Sequence, residues 1–263
     1  MRLFRVMSWA VAVCTLALGA LGALGALATP ALAKPETVLV FGGSGQLGAE
    51  IVRALVAKGH TVSIFVRPSS KLDRLQGVTF GQVQGDVLVE ADVAKALKSA
   101  KFTVVVDALA RGRSQGGGRS MESMRSDGEF YEVSERYISK AAKAAGVSQI
   151  ILHSSVGAGD SRKAYPASRL AAMAAVLDAK SAGEKHVMDS GVPYTIIRNA
   201  ILRNAKPGDA DNAKLSEDQT KFGKVTRTEL ARLTAECIGN KACTNKIYHA
   251  IDEAMGLPAE LRE

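Results

Sequence analysis

From Lys34 onward, short runs of Val, Ile, Leu and Thr alternate with longer stretches in which apolar residues recur every three or four positions. The continuous runs read as strands buried on both faces, and the spaced pattern reads as helices with one apolar stripe. Strands are predicted at Thr37 to Phe41, Thr61 to Val66, Thr79 to Gln84, Thr103 to Ala108, Gln149 to His153, Tyr194 to Arg198 and Lys246 to Ala250. Helices are predicted at Gly48 to Lys58, Glu90 to Ala100, Phe130 to Ala145, Arg169 to Ser190 and Thr228 to Ile238. Strands that alternate with helices imply an α/β fold with a doubly wound, mostly parallel sheet. Two polar, glycine-rich segments break the rhythm. Arg111 to Gly128 (with Gly112, Gly116, Gly117 and Gly118) and Ala205 to Lys224 are expected to be loops near the carboxyl ends of the strands, the edge where such sheets bind ligands.

The first 33 residues have a different pattern. Met1 to Met7 carries Arg2 and Arg5 and no acid, Trp9 to Leu27 is apolar, and Ala31-Leu32-Ala33 is a small-x-small cleavage site. This reads as a signal peptide over 1–33, with export to a bacterial periplasm and no stable membrane span after cleavage; the alternative is an uncleaved anchor. Residues 34–263 then form one domain with a small C-terminal substrate region. Without the leader, 32 basic residues face 26 acidic ones. A mild positive excess suits acidic or phosphorylated small molecules. With 5% aromatics and no long basic run, the composition argues against nucleic acid as a partner.

Val38-Leu39-Val40-Phe41-Gly42-Gly43-Ser44-Gly45-Gln46-Leu47-Gly48 carries the most chemical information. A buried strand runs into a glycine turn, and a helix opens at about Gln46. Gly42 permits the tight turn, Gly45 lets backbone N–H groups approach a diphosphate, and Gly48 permits close packing of helix on strand. This is the dinucleotide-binding pattern of a Rossmann sheet, with Ser44, Gln46 and Leu47 completing the loop. At the tip of the second strand, where sites for NAD place an acid, stands Arg67, followed by Lys71 and Arg74. A guanidinium there suits the 2′-phosphate of NADP, the alternative being an exposed strand-end arginine. Asp86 and Val87 after the third strand are placed beside the adenine, or Asp86 simply caps a turn. Ala108 and Ser154, at the tips of the fourth and fifth strands, complete the expected cofactor lining.

With Val66-Arg67-Pro68, Ala141-Ala142-Lys143-Ala144-Ala145-Gly146-Val147, Ile151-Leu152-His153-Ser154-Ser155-Val156-Gly157, Lys180-Ser181-Ala182-Gly183-Glu184, Ser190-Gly191-Val192-Pro193-Tyr194-Thr195-Ile196-Ile197-Arg198 and Val225-Thr226-Arg227-Thr228-Glu229-Leu230-Ala231, the chain resembles the NmrA-like, or atypical, short-chain dehydrogenases over almost its full mature length. The resemblance implies an NADP-binding Rossmann domain with a reduced substrate region. It does not fix a reaction, because the family includes quinone and flavin reductases, biosynthetic reductases, redox sensors and assembly factors. It matches Ser155 to the catalytic serine region and Lys180 to the family lysine. Four residues before that lysine, however, stands Val176 and not the usual tyrosine. Tyr165, followed by Pro166, is a poor substitute on a helical face. Where the family has Arg-Pro, this chain has Arg198-Asn199.

Each of these residues also has a plain structural reading. Lys180 can be a solvated helix residue, Glu184 one turn later can pair with it, and His153 reads as a packing residue. The expected function is therefore NADP-dependent hydride transfer to a small flat acceptor such as a quinone or flavin. A non-catalytic NADP-binding sensor or assembly factor stands as the alternative. Finally, Gly239-Asn240 between Cys237 and Cys243 should turn the chain back, bringing the cysteines to disulfide distance; in a reducing compartment they would be two packing thiols.

Overall fold

A computed structural model describes residues 34–111, 121–209, 211–257 and 261, with 121–128 described by backbone alone. The proposed leader lies outside the described residues, as does 112–120 of the first expected loop. The strands are β1 (Thr37–Phe41), β2 (Thr61–Val66), β3 (Gly81–Gln84), β4 (Val104–Asp107), β5 (Gln149–Ser155), β6 (Tyr194–Asn199), β7 (Ile201–Arg203), β8 (Lys214–Ser216), β9 (Lys224–Thr226) and β10 (Lys246–Ile251). The helices are α1 (Gln46–Ala57), α2 (Glu90–Lys98), α3 (Met121–Ala145), α4 (Ala167–Asp189) and α5 (Arg227–Cys237). Eight strands form one sheet in the order β3-β2-β1-β4-β5-β6-β10-β8; β7 and β9 pair separately. The large sheet is parallel except for β8, which runs antiparallel to β10.

Winding reverses between β1 and β4, where a crevice opens at the carboxyl ends of the strands. Pleat alternation divides the core into two layers. Val38, Val40, Val104, Val106 and Ile151 pack with α1 and α5, whereas Leu39, Phe41, Val105, Ile150 and Leu152 pack with α2, α3 and α4. Helix α1 buries Ala49, Ile51, Val52 and Leu55, the stripe its spacing predicts. Helix α5 starts where Thr226 Oγ1 accepts a bond from the Glu229 N–H at 3.1 Å, satisfying one of the orphan donors of its first turn.

Three expectations fail. The region 111–128 is not all loop, because α3 begins at Met121 and carries Gly128 inside it. Glycine weakens a helix by only about 1 kcal/mol, which the packing of α3 against α4 outweighs. Nor is 205–224 a plain loop: it supplies β8 to the sheet edge and leads into β9. The third strand also starts at Gly81, two residues later than predicted.

The disulfide is present. Cys237 and Cys243 are joined with their Cα atoms 5.5 Å apart, around Gly239 at φ +64. Buried Gln149 braces this turn, donating to the Cys237 carbonyl at 2.9 Å and accepting from the Gly239 N–H at 2.9 Å. Thr195 adds a bond to the Cys243 carbonyl at 2.8 Å.

Candidate cofactor cleft and active site

The glycine turn lies at the topological switch point. Gly42 has φ +77, and a Cβ there would stand 2.6 Å from the Ala108 carbonyl oxygen; only glycine brings the tips of β1 and β4 this close. A Cβ on Gly48 would stand 2.1 Å from the Gly42 carbonyl oxygen, so α1 leaves the turn in backbone contact with it. The Gly45 N–H closes the turn on the Gly42 carbonyl at 2.9 Å. Gly45 is also the N-cap of α1, and no side chain caps the helix. Exposed Gln46 and half-buried Leu47 thus open a helix whose first N–H groups point out of the turn. Ser44 is half-buried on its rim. A tight glycine cradle with unsatisfied N–H groups and a helix N-terminus fits the diphosphate of a dinucleotide.

Arg67 is exposed immediately after β2, next to β1 in the sheet. Its backbone N–H bonds to Ser70 Oγ at 3.1 Å and its carbonyl accepts from the Ser70 N–H, fixing the turn that presents the guanidinium. Asp86 is exposed and forms an Asx turn, its Oδ1 accepting from the Leu88 N–H at 2.9 Å. Val87 is buried with Phe41 and Phe65. The turn reading of Asp86 is therefore realised.

The strand pleat separates the two serines. Ser154 lies on the face of α3 and α4, as does Asp107, which is level with Leu152 two residues earlier, whereas Ser155 shares the α1 and α5 face with His153. Ser154 is buried with no hydrogen-bond partner for its hydroxyl. Ser155 is half-buried and donates to the Val156 carbonyl at 3.0 Å. Of the two catalytic candidates, Lys180 comes from α4 and so shares its side of the sheet with Ser154, not with Ser155.

Lys180 is not a solvated helix residue. Its Nζ lies 3.9 Å from the centroid of the Tyr131 ring, a cation–π contact across the α3–α4 interface. Tyr131 packs in turn against Val176 and Ala179, and its hydroxyl accepts from the Arg111 N–H at 3.2 Å. Val176 is thus core where the family has its tyrosine. The expected pairing of Lys180 with Glu184 does not occur. Glu184 is 1% exposed and binds Arg198, also 1% exposed, through Nε at 3.0 Å and Nη2 at 2.7 Å. A planar guanidinium matches both carboxylate oxygens, and an ammonium one turn away cannot compete with two parallel bonds. Arg198 Nη1 also bonds Asp160 Oδ1 at 2.5 Å and Gln219 Oε1 at 2.7 Å.

Two acids that the sequence did not single out complete the site. Asp107 ends β4 at 2% exposure; Oδ1 accepts from the Leu109 N–H at 2.9 Å, and Oδ2 has no partner. Glu135 on α3 is 3% exposed and accepts from Ser134 Oγ at 2.7 Å. Burial pushes the Asp107 carboxyl up to about 6, against the pull of the Leu109 N–H and Lys180. Burial and the neighbouring Asp107 push Glu135 up to about 8. The only trace of them in the sequence is a single acid ending the Val-Val-Val run of β4 and one acid on the inward face of α3. His153 is a packing residue, hydrogen-bonded to Thr234 Oγ1 at 3.1 Å and pushed by burial down to about 3. Tyr165 packs its ring edge-on to Phe222 at 5.4 Å, in the turn before α4.

The comparisons agree with this architecture. Residues 42–241 match a family described as NAD(P)H-binding. An uncharacterized chloroplastic protein of Arabidopsis thaliana is 29% identical over 241 residues, covering 85% of this chain and 71% of its own. A photosystem II assembly factor of Synechocystis sp. is 27% identical, covering 81% of this chain and 62% of its own. The match spans only part of some relatives, 35% of one and 27% of another. Among solved structures, an anaerobillin reductase from Escherichia coli O157:H7 superposes with a TM-score of 0.69 at 21% identity, covering 84% of this chain and 100% of its own. That likeness is one of fold.

Proposed function

The chain belongs to the NAD(P)H-binding family of Rossmann-fold proteins, of the atypical short-chain dehydrogenase type, and on that premise we propose that it is an NADP-dependent oxidoreductase passing hydride to a small flat acceptor such as a quinone or flavin. The observation that carries the reading is Lys180, held at the mouth of the α3–α4 interface on the Tyr131 ring with Val176 buried in place of an acid. A bound nicotinamide would supply the hydride. Gly42, Gly45 and Gly48 form the cradle for its diphosphate, Arg67 offers a cation for a 2′-phosphate, and Lys180 offers an ammonium to the ribose or to the reduced acceptor. An acceptor whose anion is stabilised by resonance needs no tyrosine at 176.

Export to an oxidising compartment is proposed with it, supported by the leader pattern and the Cys237–Cys243 disulfide. A second reading, a non-catalytic NADP-binding assembly factor, is favoured by the same missing tyrosine and by the photosystem II assembly factor among the relatives. NADPH oxidation by the mature protein, followed with benzoquinone, a flavin and simple ketones as acceptors, separates the two. Turnover with quinone or flavin and near-inertness toward ketones is the expected result. NADPH binding without oxidation of any acceptor selects the assembly factor, and robust ketone reduction abolished by Tyr165→Phe would show that the acid lies elsewhere.

A further inference from the structure

Every connection from a helix into a parallel strand returns at the amino ends of the strands, the edge opposite the glycine cradle. Backbone bonds stitch these strand starts side by side. The Thr61 N–H donates to the Glu36 carbonyl at 2.9 Å, Thr103 to Thr37 at 2.9 Å, Ser148 to Thr103 at 2.8 Å and Ile150 to Pro193 at 2.9 Å. Lysine recurs along this edge. Lys58, Lys34 and Lys101 each stand three residues before the first residue of their strand, at the entries to β2, β1 and β4. Lys98 ends α2, Lys143 lies in the last turn of α3 before β5, and Lys241 lies in the turn before β10. The strands are neighbours in the order β2-β1-β4-β5-β6-β10, so at about 4.8 Å per strand these lysines span about 25 Å.

All of these lysines are exposed, and none has a carboxylate within 4.0 Å among the described residues. The acids near this edge do not neutralise them. Asp189, Glu217 and Glu236 are already paired with Lys185, Lys246 and Arg232, and Glu36 is half-buried. A cation at a helix C-terminus complements the helix dipole, which accounts for Lys58, Lys98 and Lys143. It does not account for Lys34, Lys101 and Lys241, which lie outside the α-helices. Like charges gathered on one edge repel one another, and an anionic surface placed against them removes that repulsion.

We propose that this amino edge docks the protein on an anionic phospholipid surface, with the cofactor cleft on the far edge open to the solution. Two features favour a bilayer over a nucleic acid. The exposed residues beside the lysines are small, such as Ala57, Ala100 and Gly146, and offer no ring for a base to stack on. The order of the chain is the second. Only residues 28–33 separate the apolar run Trp9 to Leu27 from Lys34. Fully extended, that stretch reaches about 20 Å, so while the run is in a membrane Lys34 stays near the headgroups. An apolar segment together with a basic patch is the two-signal combination that makes surface binding stable. Once the leader is cut at Lys34 the lysines act alone, and their hold depends on salt.

Residues 33–263 form one compact unit, so flotation of the chain that begins at Lys34 tests the docking without help from the leader. At low salt it should bind vesicles of phosphatidylcholine and phosphatidylglycerol in equal parts and ignore vesicles of phosphatidylcholine alone. Raising the salt should release it. Variants are compared at about 0.1 M salt, where a charge acts over about 10 Å. Lys58→Gln, Lys101→Gln and Lys241→Gln together should lower partitioning about fivefold per lysine, about a hundredfold in all. Lys71→Gln, Lys163→Gln and Lys206→Gln together remove the same charge from exposed lysines elsewhere and should stay within about threefold of wild type. Equal binding to both kinds of vesicle, no binding at low salt, or equal losses in the two triple variants overturns the docking. So does retention on single-stranded DNA at a salt concentration that releases the vesicles, which would assign the edge to nucleic acid. The readout needs neither NADPH nor an acceptor, so it stands apart from the fate of the hydride-transfer reading.

Discussion

Arg198 provides the sharpest test of how the upper rim of the sheet is held. Its guanidinium and the Glu184 carboxylate are both almost wholly removed from water, at 2% and 1% side-chain exposure, and meet through two parallel bonds. Arg198→Met deletes the cation and leaves Glu184 as an uncompensated buried charge, which costs about 3–5 kcal/mol. Glu184→Leu strands the arginine instead, although Asp160 and Gln219 still satisfy Nη1, so its cost should fall at the lower end of that range. The double variant removes both charges and fills the space with apolar atoms. It should recover most of the loss and come within about 1–2 kcal/mol of wild type, since a buried pair replaced by hydrophobic residues is often neutral. Urea unfolding of the four proteins, accepted only where the slopes agree, gives the coupling energy directly. Additive losses, with the double variant the least stable of the set, would show that the two charges act independently and refute the reasoning.

Other outcomes follow from the cleft and the termini. Arg67→Ala should weaken NADPH binding a little over tenfold, about 1.5 kcal/mol, the lower end for a charged hydrogen bond because the side chain is exposed, and should leave NADH nearly unchanged in a fluorescence titration. Equal losses for both would remove the 2′-phosphate assignment. Gly48→Ala, whose Cβ would stand 2.1 Å from a backbone carbonyl, should cost about 1–3 kcal/mol and abolish NADPH binding, because the cradle has to open to admit it; undiminished binding would place the diphosphate elsewhere. Between about pH 5 and 8, Glu135 holds a proton in the folded chain that it loses on unfolding, so stability should fall with rising pH across that window, and Glu135→Gln should flatten the slope. Mass spectrometry of protein from its native compartment should show a chain that begins at Lys34 and is lighter by two hydrogens. Reducing the short Cys237–Cys243 loop should cost about 2 kcal/mol; an intact Met1 with both thiols free would refute export.

The segment from β1 to β2 was legible because each step left a mark in the sequence. A parallel strand buried on both faces is a continuous apolar run, glycine marks the turn at Gly42, and the four-residue rhythm of Ile51 and Leu55 marks the helix. Elements defined by their partners were not legible. Strands β7, β8 and β9 have three residues each, too few for a period to show, and exist because Lys214–Ser216 lies against β10 and Ile201–Arg203 against Lys224–Thr226. The first turns of α3 read as loop because they follow a glycine-rich stretch and themselves carry Ser123, Ser126 and Gly128. In the site, glycines and strand-tip residues could be placed from spacing alone. Charge pairing could not: Glu184 is four residues from Lys180 in sequence, yet β6 presents it with a bidentate partner. Asp107 is a single acid ending an apolar run and Glu135 stands between Ser134 and Arg136 like a solvated helix residue, so their burial shows only once the elements pack.

The ends of the large sheet bear on how folded copies of this chain meet one another. One edge is β3, four residues with only Val83 apolar, and the other is β8, three residues that include Lys214 and lie antiparallel on β10. An exposed strand edge is a template on which a second chain can add, and brevity, polarity and lysine all blunt it. Between these edges lie Val-, Ile- and Leu-rich strands that would associate readily if left bare. Closing the sheet with two short strands leaves little edge for a second copy to extend, so that growth by strand addition ends within one molecule.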